Sequence, residues 1–306
     1  MQMRIAIAFF SLLLASLQLH AEAAGKVVAF AQDTMGNDWR IAQVEDVENG
    51  LKGKKGVCFL FSNAKGNTAL QVKNIEDYIY SKVDVLITSP RDADVMTPVV
   101  SKAYREGIPV VLLTRTINGD DYTTFIHPDD RAIARKAARF IAEKLGGKGR
   151  ILMLQGIPTS STVNSRTEGF MEVIDTYPGI TVAAVKAADY LRAKAIVKTE
   201  EALREGVHFD AIYAQSDSMA AGAIMALKKH GIDPKPLVIT GIDYISEGRE
   251  LIRSGELDAT YRYPTGGKEG AEIALKILAG KTVPKEVVID SAEVTSKNVE
   301  AILPIF

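Results

Sequence analysis

Short apolar runs rich in β-branched residues alternate with longer segments of helical period along most of this chain. The runs are Lys26 to Phe30, Val57 to Phe61, Val83 to Thr88, Val110 to Leu113, Ile151 to Gln155, Ala211 to Ala214 and Leu237 to Gly241. Between them lie Trp39 to Lys52, Thr68 to Ser81, Val95 to Glu106, Arg131 to Leu145, Val163 to Tyr177, Arg192 to Glu205, Ser218 to His230 and Gly266 to Ala279. Alternation of this kind implies parallel strands, because a parallel pair needs a long crossover and a helix supplies it. The pattern predicts an α/β protein of doubly wound parallel sheets with helices on both faces. A length of 306 residues is long for one domain and short for three, so two lobes are expected. The series breaks at Gly146-Gly147-Lys148-Gly149. The lobe boundary need not fall there, because the last helix of one series can already pack on the second sheet.

The start of the chain reads as an export signal. Arg4 supplies a basic start, Ile5 to Leu17 an apolar run, and Ala21-Glu22-Ala23 a small-x-small cleavage site. The apolar run is shorter than the roughly 20 residues a membrane span requires. Residues 1–23 are therefore expected to be removed near Ala23 or Ala24, leaving a soluble periplasmic protein. No cysteine stands at the cleavage site to carry a lipid, and Cys58, the single cysteine, cannot form an intramolecular disulfide. Its run, Val57 to Phe61, reads as a buried strand. The charges nearly cancel, 37 Lys and Arg against 38 Asp and Glu, so nothing suggests a surface that would hold nucleic acid against salt.

In doubly wound sheets ligands sit beyond the C-terminal ends of the strands, and the residues just after these runs are polar. After the first run comes Gln32-Asp33-Thr34-Met35-Gly36-Asn37-Asp38-Trp39-Arg40, which holds the chain's only Trp. An indole face there would suit the apolar C–H face of a sugar ring, and the guanidinium of Arg40 suits paired hydroxyls or a carboxylate. Arg115 directly follows Val110 to Leu113 and is expected to point into the cleft. Arg91 is expected to pair with Asp92 or Asp94 on its own loop. In the second half, Gln155-Gly156 ends a run, and Ser160, Ser161 and Thr162 lead to Asn164 and Arg166 on the next helix. Asp189-Tyr190 brings a second aromatic ring. Gln215-Ser216-Asp217 and Gly241-Ile242-Asp243 end two further runs.

No catalytic set emerges from these residues. The chain has no nucleophile elbow, no two-histidine metal motif and no Walker loop. Gly147 and Gly149 follow a helix rather than opening one, so they read as a turn and not as a dinucleotide cradle. Asp217 and Asp243 could act as a glycosidase pair, but recognition of hydroxyls accounts for them with fewer assumptions. No cofactor, no metal and no enzymatic activity are expected. A DNA-binding repressor of the same architecture would need a helix-turn-helix where the export signal stands.

Leu154-Gln155-Gly156 followed by Arg166 and Gly169-Phe170, then Ala214 to Ala223, then Gly241-Ile242-Asp243, resemble the ribose-binding and galactose-type periplasmic proteins of ABC sugar importers. The resemblance spans nearly the whole mature chain. It implies a type I periplasmic binding protein: two Rossmann-like lobes joined by three hinge crossings and closing on the ligand like a clamp. With the crossings placed accordingly, residues 24–127 and 263–290 form one lobe, and 128–262 and 291–306 the other. The resemblance puts Asn37, Trp39 and Arg40 on the first-lobe ligand loop, Arg115 at the cleft arginine, Tyr190 at the second-lobe aromatic, Ser216 at a polar contact and Asp243 at the hydroxyl-binding aspartate. Thr114, Asn164 and Ser216 depart from the ribose binders, which have Asp, Arg and Asn there. Trp39-Arg40 is similar to the galactofuranose-binding branch. Trp39 with Ser216-Asp217 and Arg262 is similar to autoinducer-2 receptors that dock on a membrane sensor kinase.

The ligand is thus expected to be a monosaccharide or a related polyol held between Trp39 and Tyr190. Arg40, Arg115, Asn164, Asp217, Asp243 and Arg262 would exchange hydrogen bonds with it. Asp217 has an alternative role, capping the helix that follows. The closed form, acting as a monomer, would then be read by an ABC permease or by a sensor kinase.

Overall fold

In a computed structural model, residues 25–306 are described, and the expected export segment lies outside them. Two six-stranded sheets carry the fold. The first contains β1 (Lys26–Gln32), β2 (Val57–Asn63), β3 (Val85–Thr88), β4 (Val110–Leu113), β5 (Thr124–Pro128) and β11 (Glu286–Ile289), in the order β11-β5-β4-β3-β1-β2. The second contains β6 (Lys148–Gln155), β7 (Gly179–Ala187), β8 (Ala211–Ala214), β9 (Val238–Thr240), β10 (Ala259–Tyr261) and β12 (Glu293–Thr295), in the order β12-β10-β9-β8-β6-β7. All pairings are parallel except β10 with β12. The chain is a type I periplasmic binding fold in topology. It changes sheet three times, between β5 and β6, between β10 and β11, and between β11 and β12.

The central strands are apolar throughout because helices cover both faces; β3, β4 and β8 are buried at every residue. Helices α1 (Asp38–Leu51), α2 (Thr68–Tyr80) and α3 (Ala93–Arg105) flank the first sheet, and α9 (Gly267–Leu278) packs on α1. The second sheet carries α4 (Asp130–Lys144), α5 (Ser161–Ile174), α6 (Arg192–Arg204), α7 (Asp217–Lys229) and α8 (Ser246–Ser254). Helix α4 packs on α5 and against the second sheet, so the first crossing precedes the Gly146 to Gly149 turn.

One expectation about burial fails. β2 is the edge of its sheet, with a neighbour on one side only, and Cys58, Leu60 and Phe61 are exposed on it. Among the described residues, no helix is long and apolar enough to cross a membrane, and no group of three or more His, Cys, Asp or Glu could hold a metal ion.

Candidate functional site

The C-terminal ends of the strands in the two sheets face one another across a cavity. Its lining comes from both sheets: Asn37, Trp39, Arg40, Thr114 and Arg115 from the first, Thr162, Arg166, Tyr190, Ser216, Ser218 and Asp243 from the second, with Tyr263 from a crossing segment. Two helix starts are built into this wall. Asn37 caps α1 by accepting from the Arg40 N–H at 2.8 Å, and Ser216 caps α7 by accepting from the Met219 N–H at 3.2 Å.

The backbone of the wall is unusual. Thr114, Asp189, Tyr190, Asp243 and Tyr244 all have positive φ, from 54° at Asp189 to 132° at Asp243, immediately after strand ends. Such conformations in residues other than glycine cost on the order of 1–3 kcal/mol each and collect where surrounding structure holds side chains for a task. Tyr190 gains its place this way, and Gly156 makes room for its ring.

Three cavity-lining arginines, Arg40, Arg115 and Arg166, are held by two carboxylates behind the cavity. Asp33, fully buried, accepts from Arg115 Nη1 at 2.8 Å and lies 3.5 Å from Arg40 Nε. Arg91 completes this group at 3.7 Å from Asp33, where a pairing with its own loop aspartates was expected. Burial alone would raise the Asp33 pKa, but Arg40 and Arg115 outweigh it and hold the carboxyl below the usual range. Burial and the neighbouring Arg115 bring Arg40 down to about 10. Arg40 also donates to Gln43 at 2.9 Å and Ser89 at 2.8 Å. Across the cavity, Arg166 Nε donates to Asp130 at 2.7 Å, its Nη1 donates to the Gln215 carbonyl, and its guanidinium lies 4.4 Å from the centre of the Tyr263 ring. The phenol of Tyr263 donates to the other Asp130 oxygen at 3.1 Å.

Some polar atoms in this wall have no partner. Arg115 Nε and the Tyr190 hydroxyl are buried and unbonded, and among the described residues no side chain donates to the Asp243 carboxylate. Burial, then the nearby Asp217 carboxylate, push the Asp243 pKa well above the usual range. Arg115 and Tyr190 line the same space, where a polar ligand would complete both groups.

Trp39 bridges the halves. Its helix α1 belongs to the first sheet, yet the residue is only 8% exposed and joins the hydrophobic core of the second sheet, with its ring centre 5.8 Å from that of Tyr263. The indole N–H donates to the Tyr263 carbonyl at 3.1 Å. Further bonds draw the halves together: Thr116 N–H to Ser161 Oγ at 2.9 Å, Thr162 Oγ1 to the Thr114 carbonyl at 2.9 Å, and Ala93 N–H to the Thr159 carbonyl at 3.1 Å.

Of the residues expected at the site, Asn37, Trp39, Arg40, Arg115, Tyr190, Ser216 and Asp243 line the cavity. Asn164, Asp217 and Arg262 do not. Thr162 and Arg166 stand four apart on one face of α5, which turns the intervening Asn164 outward to solvent. Tyr261 and Tyr263 are buried on one side of an extended segment, so the alternation of side chains sends Arg262 the other way. Asp217 is turned beneath α7, where its oxygens accept from Thr260 Oγ1 at 2.6 Å and the Ile245 N–H at 3.1 Å, and Ser216 does the capping. Thr114, Thr162, Ser218 and Tyr263 line the cavity without having been named as ligand contacts, as does Arg166, although it stands in the quoted motif.

A two-sheet clamp with a polar and aromatic cavity between the strand ends defines the class of hinged solute-binding proteins. The chain belongs to the periplasmic binding protein domain family, whose model matches residues 28–282. A ribose import binding protein of Haemophilus influenzae is 30% identical over 265 residues, 86% of this chain and 89% of that protein. The fructose-binding periplasmic domain of a hybrid two-component system superposes with a TM-score of 0.85 at 34% identity, covering 90% of this chain and 92% of that one. A solute-binding protein of an ABC transporter from Bacillus halodurans, solved with myo-inositol, gives 0.86 at 26% identity, covering 91% and 97%.

Proposed function

We propose that this protein is exported to the periplasm by removal of residues 1–23, captures a monosaccharide or related polyol between its lobes, and presents the closed form to an ABC permease. The lobes are residues 24–127 with 263–290, and 128–262 with 291–306. The observation that carries the reading is the convergence of unpartnered Arg115 Nε and Tyr190 OH with Trp39 and Asp243 in one cavity lined from both sheets. Hydroxyls completed from both sides favour closure, because a ligand shifts the open and closed populations by its differential affinity. Likeness to a ribose import binding protein and to a myo-inositol complex supports the ligand class. Binding without chemical change is the expected activity.

A thermal-shift screen over pentoses, hexoses, polyols and autoinducer-2 tests this, since a ligand of the native state raises Tm. A rise of several degrees with one uncharged polyhydroxylated compound, recovered unchanged, is the expected result. No shift with any of them, or turnover of the ligand, would sink the reading. The 34% identity to the periplasmic domain of a two-component system favours a second role, ligand delivery to a sensor kinase. Reconstitution with a candidate permease and a candidate sensor kinase from the same organism separates the two.

A further inference from the structure

Asp33 is absent from the cavity wall, yet it organises much of what lines it. It follows β1 directly, is fully buried, and holds Arg115 at 2.8 Å, Arg40 at 3.5 Å and Arg91 at 3.7 Å. Two of these guanidiniums rest on the aromatic rings of the cavity: Arg40 lies 4.9 Å from the centre of the Trp39 ring, and Arg115 lies 5.6 Å from that of Tyr190. One carboxylate thereby fixes a charged group beside each ring. Arg40 and Arg115 would otherwise repel one another in a region where water screens little. Removing one partner of a buried charge group leaves the others uncompensated.

Among the described residues, Asp33 is the one carboxylate within 4 Å of Arg40 or Arg115. Arg40, Arg115 and Arg166 line it with a single carboxylate, Asp243, while Asp130 stands behind Arg166 and Asp33 behind the other two. We propose that Asp33 is a positioning residue that holds Arg40 and Arg115 as directed hydrogen-bond donors, offsets part of their positive charge, and so makes the cavity select an uncharged polyhydroxylated ring over the corresponding sugar acid. The inference rests on the binding role proposed above. Held in this way, the arginines offer directed N–H groups to hydroxyls with a weaker field to draw a carboxylate than they would have without Asp33.

The test is competitive binding of matched probes, D-galactose with D-galacturonate and D-glucose with D-glucuronate, alongside the screened polyols, to wild type, Asp33→Asn, Arg91→Met and the double variant. In Asp33→Asn the Kd for the uncharged probe should rise at least tenfold, and the ratio of acid Kd to sugar Kd should fall at least tenfold. Arg91 is outside the cavity wall, and Arg91→Met should raise that ratio about threefold. Combining the two restores the charge count, and the ratio should return to within threefold of wild type. A role in packing alone would weaken both probes together and would not be rescued by Arg91→Met. An unmoved ratio in Asp33→Asn, or a double variant that keeps the altered ratio, overturns the proposal. Should Asp33→Asn fail to fold, Arg91→Met alone decides it, and an unmoved ratio there counts against it. Wild type that binds no uncharged probe overturns the proposed function and this inference together, whereas wild-type binding with unmoved variant ratios overturns the inference alone.

Discussion

A Cβ atom placed on Gly156 would stand 2.0 Å from Cζ of Tyr190, so the ring of Tyr190 occupies the space that any other residue at 156 would fill. Gly156 is not among the glycines of positive φ, which leaves the ring as the obstacle. Gly156→Ala should displace Tyr190 and lower ligand affinity at least tenfold by isothermal titration. Unchanged affinity would remove Tyr190 from the binding wall.

Trp39 joins two roles, as a cavity wall and as an anchor in the core of the opposite half. Trp39→Ala should weaken binding at least tenfold. It should also cost stability in the closed form, with truncation of a buried aromatic worth about 3–5 kcal/mol. Chemical denaturation with and without saturating ligand measures this, and the loss should be greater with ligand bound. Equal losses in both states would argue that the ring packs the same way whether the lobes are open or closed.

Asp243 receives no side-chain donor among the described residues and sits near another buried carboxylate, so its charge is a burden on the unliganded protein. Asp243→Asn preserves shape, and Asn tolerates positive φ better than most residues. It should cut affinity at least tenfold, in line with loss of a charged hydrogen bond of about 1.5–3 kcal/mol, while Tm stays the same or rises. A lower Tm with unchanged affinity would make Asp243 a structural residue.

Burial raises the pKa of Asp217 to about 6. A carboxylate raised above its unfolded value binds its proton more tightly in the folded state. Its contribution to stability therefore grows as pH falls from about 7 towards 4, on the order of 1–3 kcal/mol across the window. Asp217→Asn keeps a group that can serve both Thr260 and the Ile245 N–H, and should flatten that part of the pH profile in thermal unfolding. An identical slope in the variant would show that Asp217 does not titrate there.

The alternation of strands and helices was legible because central parallel strands are apolar at every position and each is followed by a polar turn. The three-residue strands β10 and β12 are too short to show a period, and β5, which carries His127 and Pro128, lacks a clear apolar run. At the site, residues immediately following long strands could be placed from order alone. Arg166 carried a signal in its motif, and its i−4 relation to Thr162 would have separated both from Asn164. Tyr263 lies in a crossing rather than after a strand, so nothing local distinguishes it from Tyr261. Asp33 could not be told from the other polar residues of its loop, because its importance comes from three arginines distant in sequence.

The outermost strand of the first sheet, β11, is drawn from residues 286–289, after the whole central part of the second sheet. During synthesis on a ribosome, β5 would keep a bare edge until nearly all of the polypeptide had emerged. Cutting the gene at the first crossing would therefore not yield a self-sufficient half. Permuted versions that bring β11 next to β5 in order would be the better starting point for isolating that half.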